Sequence, residues 1–116
     1  MLPASNRLTK KIDFENVRQK GKFITTKLFS ISYVKRDSIA SLQNDVPSRF
    51  GFIVSKKISM KAHERNHIKR ILREFFRNNL DNIKGGVDFV IVAKVGIAHA
   101  THGTIETELT NAIKNI

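Results

Sequence analysis

The most informative group of potentially functional side chains in this 116-residue chain lies between residues 62 and 79. Apolar side chains recur there at the three- and four-residue spacing of a buried helical stripe: Ile68, Ile71, Leu72, Phe75 and Phe76. At about 100° per residue, an arc of roughly 100° on another side of the same helix is polar and basic. We term that arc the cationic face, with the members Asn66, Lys69, Arg70, Arg73 and Arg77, and with Arg65 at its edge.

The cationic face has no intrinsic benefit for folding. Like charges four residues apart repel by a few tenths of a kcal/mol per pair, and only Glu74 is near enough to relieve them. Lys56 and Lys57, just before the helix, add to the positive electrostatic field around it. Arginine offers forked donors to phosphate and asparagine can bond a base edge, so the pattern favours RNA binding. Two alternatives remain: a basic face that is simply solvated, and a helix that lies on an anionic membrane surface. The second is less favoured because a membrane helix would use the apolar stripe that the core needs.

A second motif overlaps this helix. His63, Glu64 and His67 match H-E-x-x-H, in which two histidines bind zinc and the glutamate acts as a general base. The basic neighbours oppose a cation, and the histidines point away from the apolar stripe. No motif identifies a third ligand among His99, His102, Glu106 and Glu108, and we expect His99 and His102 to be loop residues without partners. A zinc hydrolase is therefore disfavoured, and no metal site is predicted.

Other catalytic signatures are missing from the sequence. It has no glycine-rich phosphate loop and no G-x-S-x-G, and nuclease carboxylates would have to come from scattered residues such as Asp13, Asp37 and Asp88. Cysteine is absent, which excludes disulfides and thiolate chemistry. We expect no catalytic residue in the protein itself.

Composition and charge agree with a nucleic-acid partner. The net charge is +11, and residues 1–77 hold 18 of the 21 basic residues, which creates a field that attracts a polyanion. The length and the 41% hydrophobic content predict one globular domain over residues 1–116. The longest apolar run, residues 89–93, cannot span a bilayer, and we do not expect residues 1–7 to act as a secretory signal, since no apolar stretch follows a basic start there. The expected location is the cytoplasm.

Periodicity predicts the elements that position these residues. Leu8, Ile12 and Val17 indicate a first helix that ends before Gly21, with Thr9 as its N-cap. Alternating residues predict strands within 23–34 and 50–54, and residues 87–93 are apolar on both faces. Residues 36–48 look like a hairpin connection. A closing helix carries Ile105, Leu109, Ala112, Ile113 and Ile116.

Ser55, Lys56 and Lys57, followed by the segment 62–77, resemble the signature of the protein subunit of bacterial ribonuclease P. Residues 8–21, 49–51 and 88–94 resemble the family's first helix, third strand and last strand, so the resemblance covers about residues 5–113. It implies an α/β (α+β) two-layer sandwich of the ribosomal protein S5 domain 2-like type. The implied order is α-β-β-β-α-β-α, with a left-handed β-α-β crossover.

The resemblance also implies partners and roles. The catalyst would be the RNA subunit, whose Mg²⁺ ions remove the 5′ leader of precursor tRNA; the protein would bind both RNAs, hold no cofactor and need no membrane or protein partner. The implied RNA-binding residues are Lys56, Lys57, Arg65, Asn66, His67, Lys69, Arg70, Arg73 and Arg77. The implied leader cleft contains Phe14, Arg18, Ser30 and Ser32. A stand-alone RNA-binding or ribosome-associated module is the alternative.

Three positions depart from the family pattern. His67 stands where the family usually has the second arginine of Arg-Asn-Arg, so an imidazole replaces a permanently charged guanidinium. Arg18 and Ser32 stand where members often carry aromatic residues. We therefore expect the leader cleft to rely more on charge and less on stacking than in other members.

Overall fold

A computed structural model of the chain describes residues 2–35, 47–83 and 85–114. Its helices and strands are α1 (Lys11–Lys20), β1 (Lys22–Thr25), β2 (Phe29–Lys35), β3 (Arg49–Ile53), α2 (Ala62–Asn78), β4 (Val87–Ala93) and α3 (His102–Ile113). Short 3-10 helices cover Ala4–Asn6, Leu80–Asn82 and Val95–His99. The predicted order is confirmed. Within the described ranges, each helix is too short or too polar to cross a bilayer.

The four described strands form one sheet in the order β1-β2-β4-β3. The β1–β2 and β2–β4 pairs are antiparallel, whereas β3 and β4 are parallel and are joined through α2. The mixed α/β sandwich with a β-α-β crossover is thus confirmed, and the left-handed sense of the crossover stays a prediction. The hairpin prediction is wrong, because β2 and β3 lie on opposite sides of β4. Residues 36–46 themselves lie outside the described ranges.

The main core lies between one face of the sheet and the helices α2 and α3. The predicted stripe of α2 is confirmed, with Ile71 half-buried and the other members buried: Ile68, Leu72, Phe75 and Phe76. The ring of Phe50 stacks on Phe89 with centroids 5.1 Å apart and lies 4.7 Å from the ring of Phe76. Burial of each such side chain stabilises the fold by about 1.5–3 kcal/mol, so this aromatic stack fixes α2 against the sheet.

On the opposite face of the sheet, α1 covers a smaller apolar cluster of Leu8, Val17 and Val90. Because Phe89 and Ile91 face the main core, β4 is buried on both sides, as its sequence predicts. Two expectations for α1 are wrong. Its N-cap is Lys10 rather than Thr9, and Ile12 is 71% exposed because the helix turns Val17, not Ile12, towards the sheet.

One charged cluster ties α1 to the sheet. Asp88 in β4 is 3% exposed, and its two carboxylate oxygens accept hydrogen bonds from Arg49 Nε at 2.9 Å and Nη2 at 2.7 Å. Arg49 Nη1 also donates to Asp13 Oδ2 of α1 at 3.4 Å. Hydrogen bonding to Asp88 raises the pKa of Arg49 above its ordinary value. The guanidinium therefore links β3, β4 and α1 in a single contact.

The segment before α1 runs along the outer edge of β3. The amide of Leu8 donates to the Phe50 carbonyl at 2.9 Å, and Asn6 Nδ2 donates to the Ser48 carbonyl at 2.7 Å. Backbone groups of an edge strand that are satisfied in this way are not available for pairing with another chain.

Replacing Asp88 with alanine tests the charged cluster. Because the variant leaves a partly buried guanidinium without its main partner, we expect the free energy of unfolding to fall by about 3 kcal/mol. Lys61→Ala is the control, since Lys61 Nζ lies 4.0 Å from Glu64 in an exposed pair and should contribute less than about 0.5 kcal/mol. Denaturant unfolding measures both; equal losses for the two variants would contradict the role given to Asp88.

Candidate nucleic-acid interface

The cationic face of α2 is turned to solvent along the whole helix. Asn66, Arg70, Arg73 and Arg77 are exposed, and Lys69 is half-buried beside them. Within the described part of the chain, Lys69, Arg70 and Arg73 have no acidic partner. Their charges are therefore free to meet an anion.

The two ends of the face differ from its middle. Arg77 Nη2 and Nε bond Glu74 Oε2 at 2.8 and 3.1 Å, and this contact lowers the pKa of Glu74 to about 2. Glu74 is thus ionised at neutral pH and offsets the charge of Arg77. At the other end, Arg65 Nη1 donates to the Ser59 carbonyl at 2.8 Å and so fastens the preceding turn to α2. The middle of the face holds the unopposed charge.

Lys56 and Lys57 lie exposed in the turn between β3 and α2. The turn is closed by Ser55, whose carbonyl accepts from the amide of Ile58 at 3.1 Å and whose hydroxyl accepts from that of Lys57 at 3.3 Å. Ile58 is buried in the main core. This anchoring holds both lysines close to the start of α2.

A cleft of about 130 Å³ lies at the edge of β3, and its walls include Phe14 from α1, Gly51 from β3 and Arg73 from α2. The Phe14 ring lies directly on Gly51, since a Cβ added there would come within 2.3 Å of the ring. Glycine is required at this position because any side chain would displace the ring. The cleft brings a residue of the cationic face next to α1.

The remaining residues of the predicted leader cleft lie on the α1 side of the sheet. Ser30 and Ser32 of β2 are half-buried there, and Thr25 Oγ1 lies 3.3 Å from the Ser30 hydroxyl to which it donates. Arg18 is exposed, one turn after Phe14 on α1. The sheet therefore forms a polar floor beside a helix that carries one ring and one guanidinium.

The histidines of the H-E-x-x-H match line a separate cleft of about 510 Å³ together with His99. The Ser59 hydroxyl donates to Glu64, and this bond lowers the pKa of the carboxyl. His102 begins α3 and its Nε2 lies 2.9 Å from Glu106 Oε1, so the expectation that it is an unpartnered loop residue is wrong. Among residues 2–35, 47–83 and 85–114, no three histidine or acidic side chains are grouped to hold a metal ion.

Comparison with known sequences identifies the family. The family model described as Ribonuclease P matches residues 2–116. This chain belongs to that family. The ribonuclease P protein component of Legionella pneumophila (strain Lens) is 40% identical over 105 residues, which cover 90% of this chain and 83% of the relative. That of Clostridium acetobutylicum is 35% identical over 111 residues, covering 96% and 85%.

Solved structures of ribonuclease P proteins share the fold. The Staphylococcus aureus protein superposes with a TM-score of 0.82 at 28% identity, covering 94% of this chain and 93% of that one. The Thermotoga maritima protein gives a TM-score of 0.80 at 29% identity, covering 95% and 96%. The fold that the resemblance implies is thus confirmed.

The sequence does not reveal two residues that position α1 and Phe14, namely Asp88 and Gly51. Asp88, considered only as a scattered carboxylate, is bound by Arg49 together with Asp13; the signal was a single acid within the otherwise apolar residues 87–93. Gly51, flanked by two phenylalanines, was read only as a strand residue. Asp37, the third carboxylate considered, lies outside the described residues.

Replacing Gly51 with alanine tests the seating of Phe14. The added methyl group must push the ring away, and overpacking of this kind costs about 1–3 kcal/mol. Gly103→Ala is the matched control, because nothing lies within 4 Å of its added Cβ and alanine favours the helix by up to about 1 kcal/mol. Thermal unfolding should move in opposite directions for the two variants, and unchanged stability of Gly51→Ala would show that Phe14 is not seated on it.

Proposed function

We propose that this chain is the protein subunit of a ribonuclease P. It binds the catalytic RNA and the 5′ leader of precursor tRNA, and it assists the RNA-catalysed, Mg²⁺-dependent cut that produces the mature tRNA 5′ end. The protein holds no cofactor of its own, Mg²⁺ acts through the catalytic RNA, and the complex works in the cytoplasm. Family membership supports this assignment, together with the arrangement of charge around the cleft.

The observation that carries the proposal is the position of Arg73. Its side chain belongs to the middle of the cationic face and also lines the cleft that contains Phe14. A single strand lying on the sheet beside Phe14 would therefore meet an unopposed guanidinium as it leaves the cleft. Through Arg73 the cleft joins the two proposed RNA-binding regions at the edge of β3.

The chemistry of this surface favours positioning over sequence reading. Arg70, Arg73 and Lys69 offer charge-assisted donors to phosphate oxygens, which fix the register of a strand but carry no sequence information. Phe14 offers a stacking surface that accepts any base. We therefore assign to the protein the task of holding the leader while the RNA subunit performs the cut.

The protein without RNA should not cleave precursor tRNA. This expectation follows because Asp13 and Asp88 are held by Arg49 and no described group of acids is arranged for metal-assisted hydrolysis. Incubation of nuclease-treated protein with labelled precursor tRNA, with and without the cognate catalytic RNA, measures the difference. Robust 5′ processing by RNA-free protein that a carboxylate substitution abolishes would overturn the proposal, as would co-sedimentation with ribosomes and no retained catalytic RNA.

Arg73→Ala tests the role of the cationic face. The helix should stay folded, because alanine has the highest helix propensity and a like-charge contact is removed. Loss of one phosphate contact should weaken binding equally for leaders of different sequence and lower the salt slope by about 0.7–0.9. Affinity and cleavage rate at several salt concentrations, for three leader sequences, provide the measurement.

Lys114→Ala is the control for Arg73→Ala, since it removes one exposed positive charge from the end of α3, outside the cationic face. Its salt slope should equal that of the unaltered protein. If Arg73→Ala weakens the binding of one leader only and leaves the salt slope intact, the face reads sequence and the positioning role is wrong.

A further inference from the structure

Phe23 in the edge strand β1 is an exposed aromatic residue on the surface that faces α1. Its side chain is 70% exposed, although phenylalanine is among the residue types most often buried. In the β1–β2 register Phe23 is paired with Ser32, so both side chains point to the same side of the sheet. Phe23 belongs to neither apolar cluster. Its ring therefore makes no contribution to the core.

The register places Phe23 in line with Phe14. Gly51, Val90, Ser32 and Phe23 are successive neighbours across β3, β4, β2 and β1 on one face. The Phe14 ring lies on Gly51 at one end of this row, and Phe23 stands at the other end, three strand spacings or about 14 Å away. Val90 in this row is fully buried under α1, so a strand that reaches both rings passes beside α1 rather than along the row itself.

The surroundings of the ring are basic and polar. Arg18 and Lys20 lie in the last turn of α1, just before β1, and both are exposed. The neighbouring Lys22 is also exposed, but its side chain points to the opposite face of the sheet, where it is paired with Tyr33. Ser32 is small and half-buried beside the ring, so the ring is not screened by its cross-strand neighbour. Aromatic side chains set among lysine and arginine are the combination with which proteins bind single-stranded nucleic acid, because bases stack on the ring while the cations meet the phosphates.

We propose that Phe23 is a second stacking platform for the 5′ leader, at the opposite end of the row from Phe14. A leader base stacks on the exposed ring while the strand crosses the polar floor of Ser32 and Ser30. This inference rests on the proposed function, since it names the part of the substrate that the outer sheet receives. It also changes the sequence-based expectation that the leader cleft relies less on stacking than in other members. Stacking of a leader base is kept in this protein, but on Phe23 of β1.

The experiment uses enzyme reconstituted with its cognate catalytic RNA and two precursor tRNAs, one with a single-nucleotide leader and one with an eight-nucleotide leader. Phe23→Ala should weaken binding of the long-leader substrate about tenfold, as expected for one lost base–aromatic contact, and should leave the short-leader substrate unchanged. Phe23→Tyr keeps a ring and should bind as the unaltered protein does. Phe23→Leu keeps an apolar side chain without a ring and should behave like Phe23→Ala.

Ile12→Ala is the matched control, because Ile12 is 71% exposed and lies in α1 outside both apolar clusters. It should bind both substrates normally. The inference is overturned if Phe23→Ala has no effect, if it weakens both substrates equally, or if Phe23→Leu retains full affinity. A change in sedimenting mass of the free Phe23→Ala protein without a change in leader affinity would also overturn it, since the ring would then serve pairing between copies.

The same series separates this inference from the proposed function. If Arg73→Ala weakens precursor tRNA binding and Phe23→Ala does not, the leader surface exists and only the platform on β1 is wrong. If the reconstituted protein does not increase precursor tRNA binding by the catalytic RNA at all, the proposed function fails and the inference fails with it.

Discussion

The ion pair between Arg49 and Asp88 is the contact on which the arrangement of this protein depends. It joins β3 to β4, the only parallel pair among the described strands, and through Asp13 it also holds α1. A buried carboxylate is costly unless it is paired and hydrogen-bonded, and the fork of the guanidinium satisfies both oxygens of Asp88. The remaining donor of the same guanidinium, Nη1, contacts Asp13 and so ties α1, which carries Phe14, to this pair.

The chain uses its positive charges in two ways. Arg49 is partly buried and neutralised by Asp88 and Asp13, so its role is structural. By contrast, Arg70 and Arg73 are exposed without acidic partners among the described residues. The two faces of the sheet also differ in how far they are buried. One face is closed by α2 and α3 over an aromatic core, and the other is covered only in part by α1. The uncovered remainder of that second face, together with the exposed side of α2, is the surface that we propose binds RNA.

Much of the fold could be predicted because helical and strand periods are strong in the segments that carry it. Spacing alone predicts the stripe of α2 and the doubly buried β4, and the resemblance to the family predicts the crossover. Pairing between strands could not be read in this way, so β2 and β3 were joined as a hairpin although β4 lies between them. Ile12 was misplaced because a ten-residue helix with few apolar positions has several acceptable faces.

The site was harder to predict than the fold. The basic residues of α2 share one helix, so their spacing determines their common direction, and the structure leaves them exposed. The contacts of Phe14 with Gly51 and of Arg49 with Asp88 join residues 37 and 39 positions apart, and no local pattern encodes such pairs. The exposure of Phe23 is not encoded locally either, because it depends on how far α1 covers its face of the sheet.

The central position of β4 in the sheet affects how the protein folds during its synthesis on the ribosome. Ribosomes add about 5–20 residues per second, so α2 and β3 are complete on the order of a second before residue 93 is made. Until then β3 lacks its only strand neighbour in the described sheet, and the phenylalanines of α2 have an incomplete surface to cover. Parallel, non-local pairing is also slow to close. The cleft between α1 and the sheet is therefore completed only after β4 has been made, whereas the cationic face of α2 is present earlier.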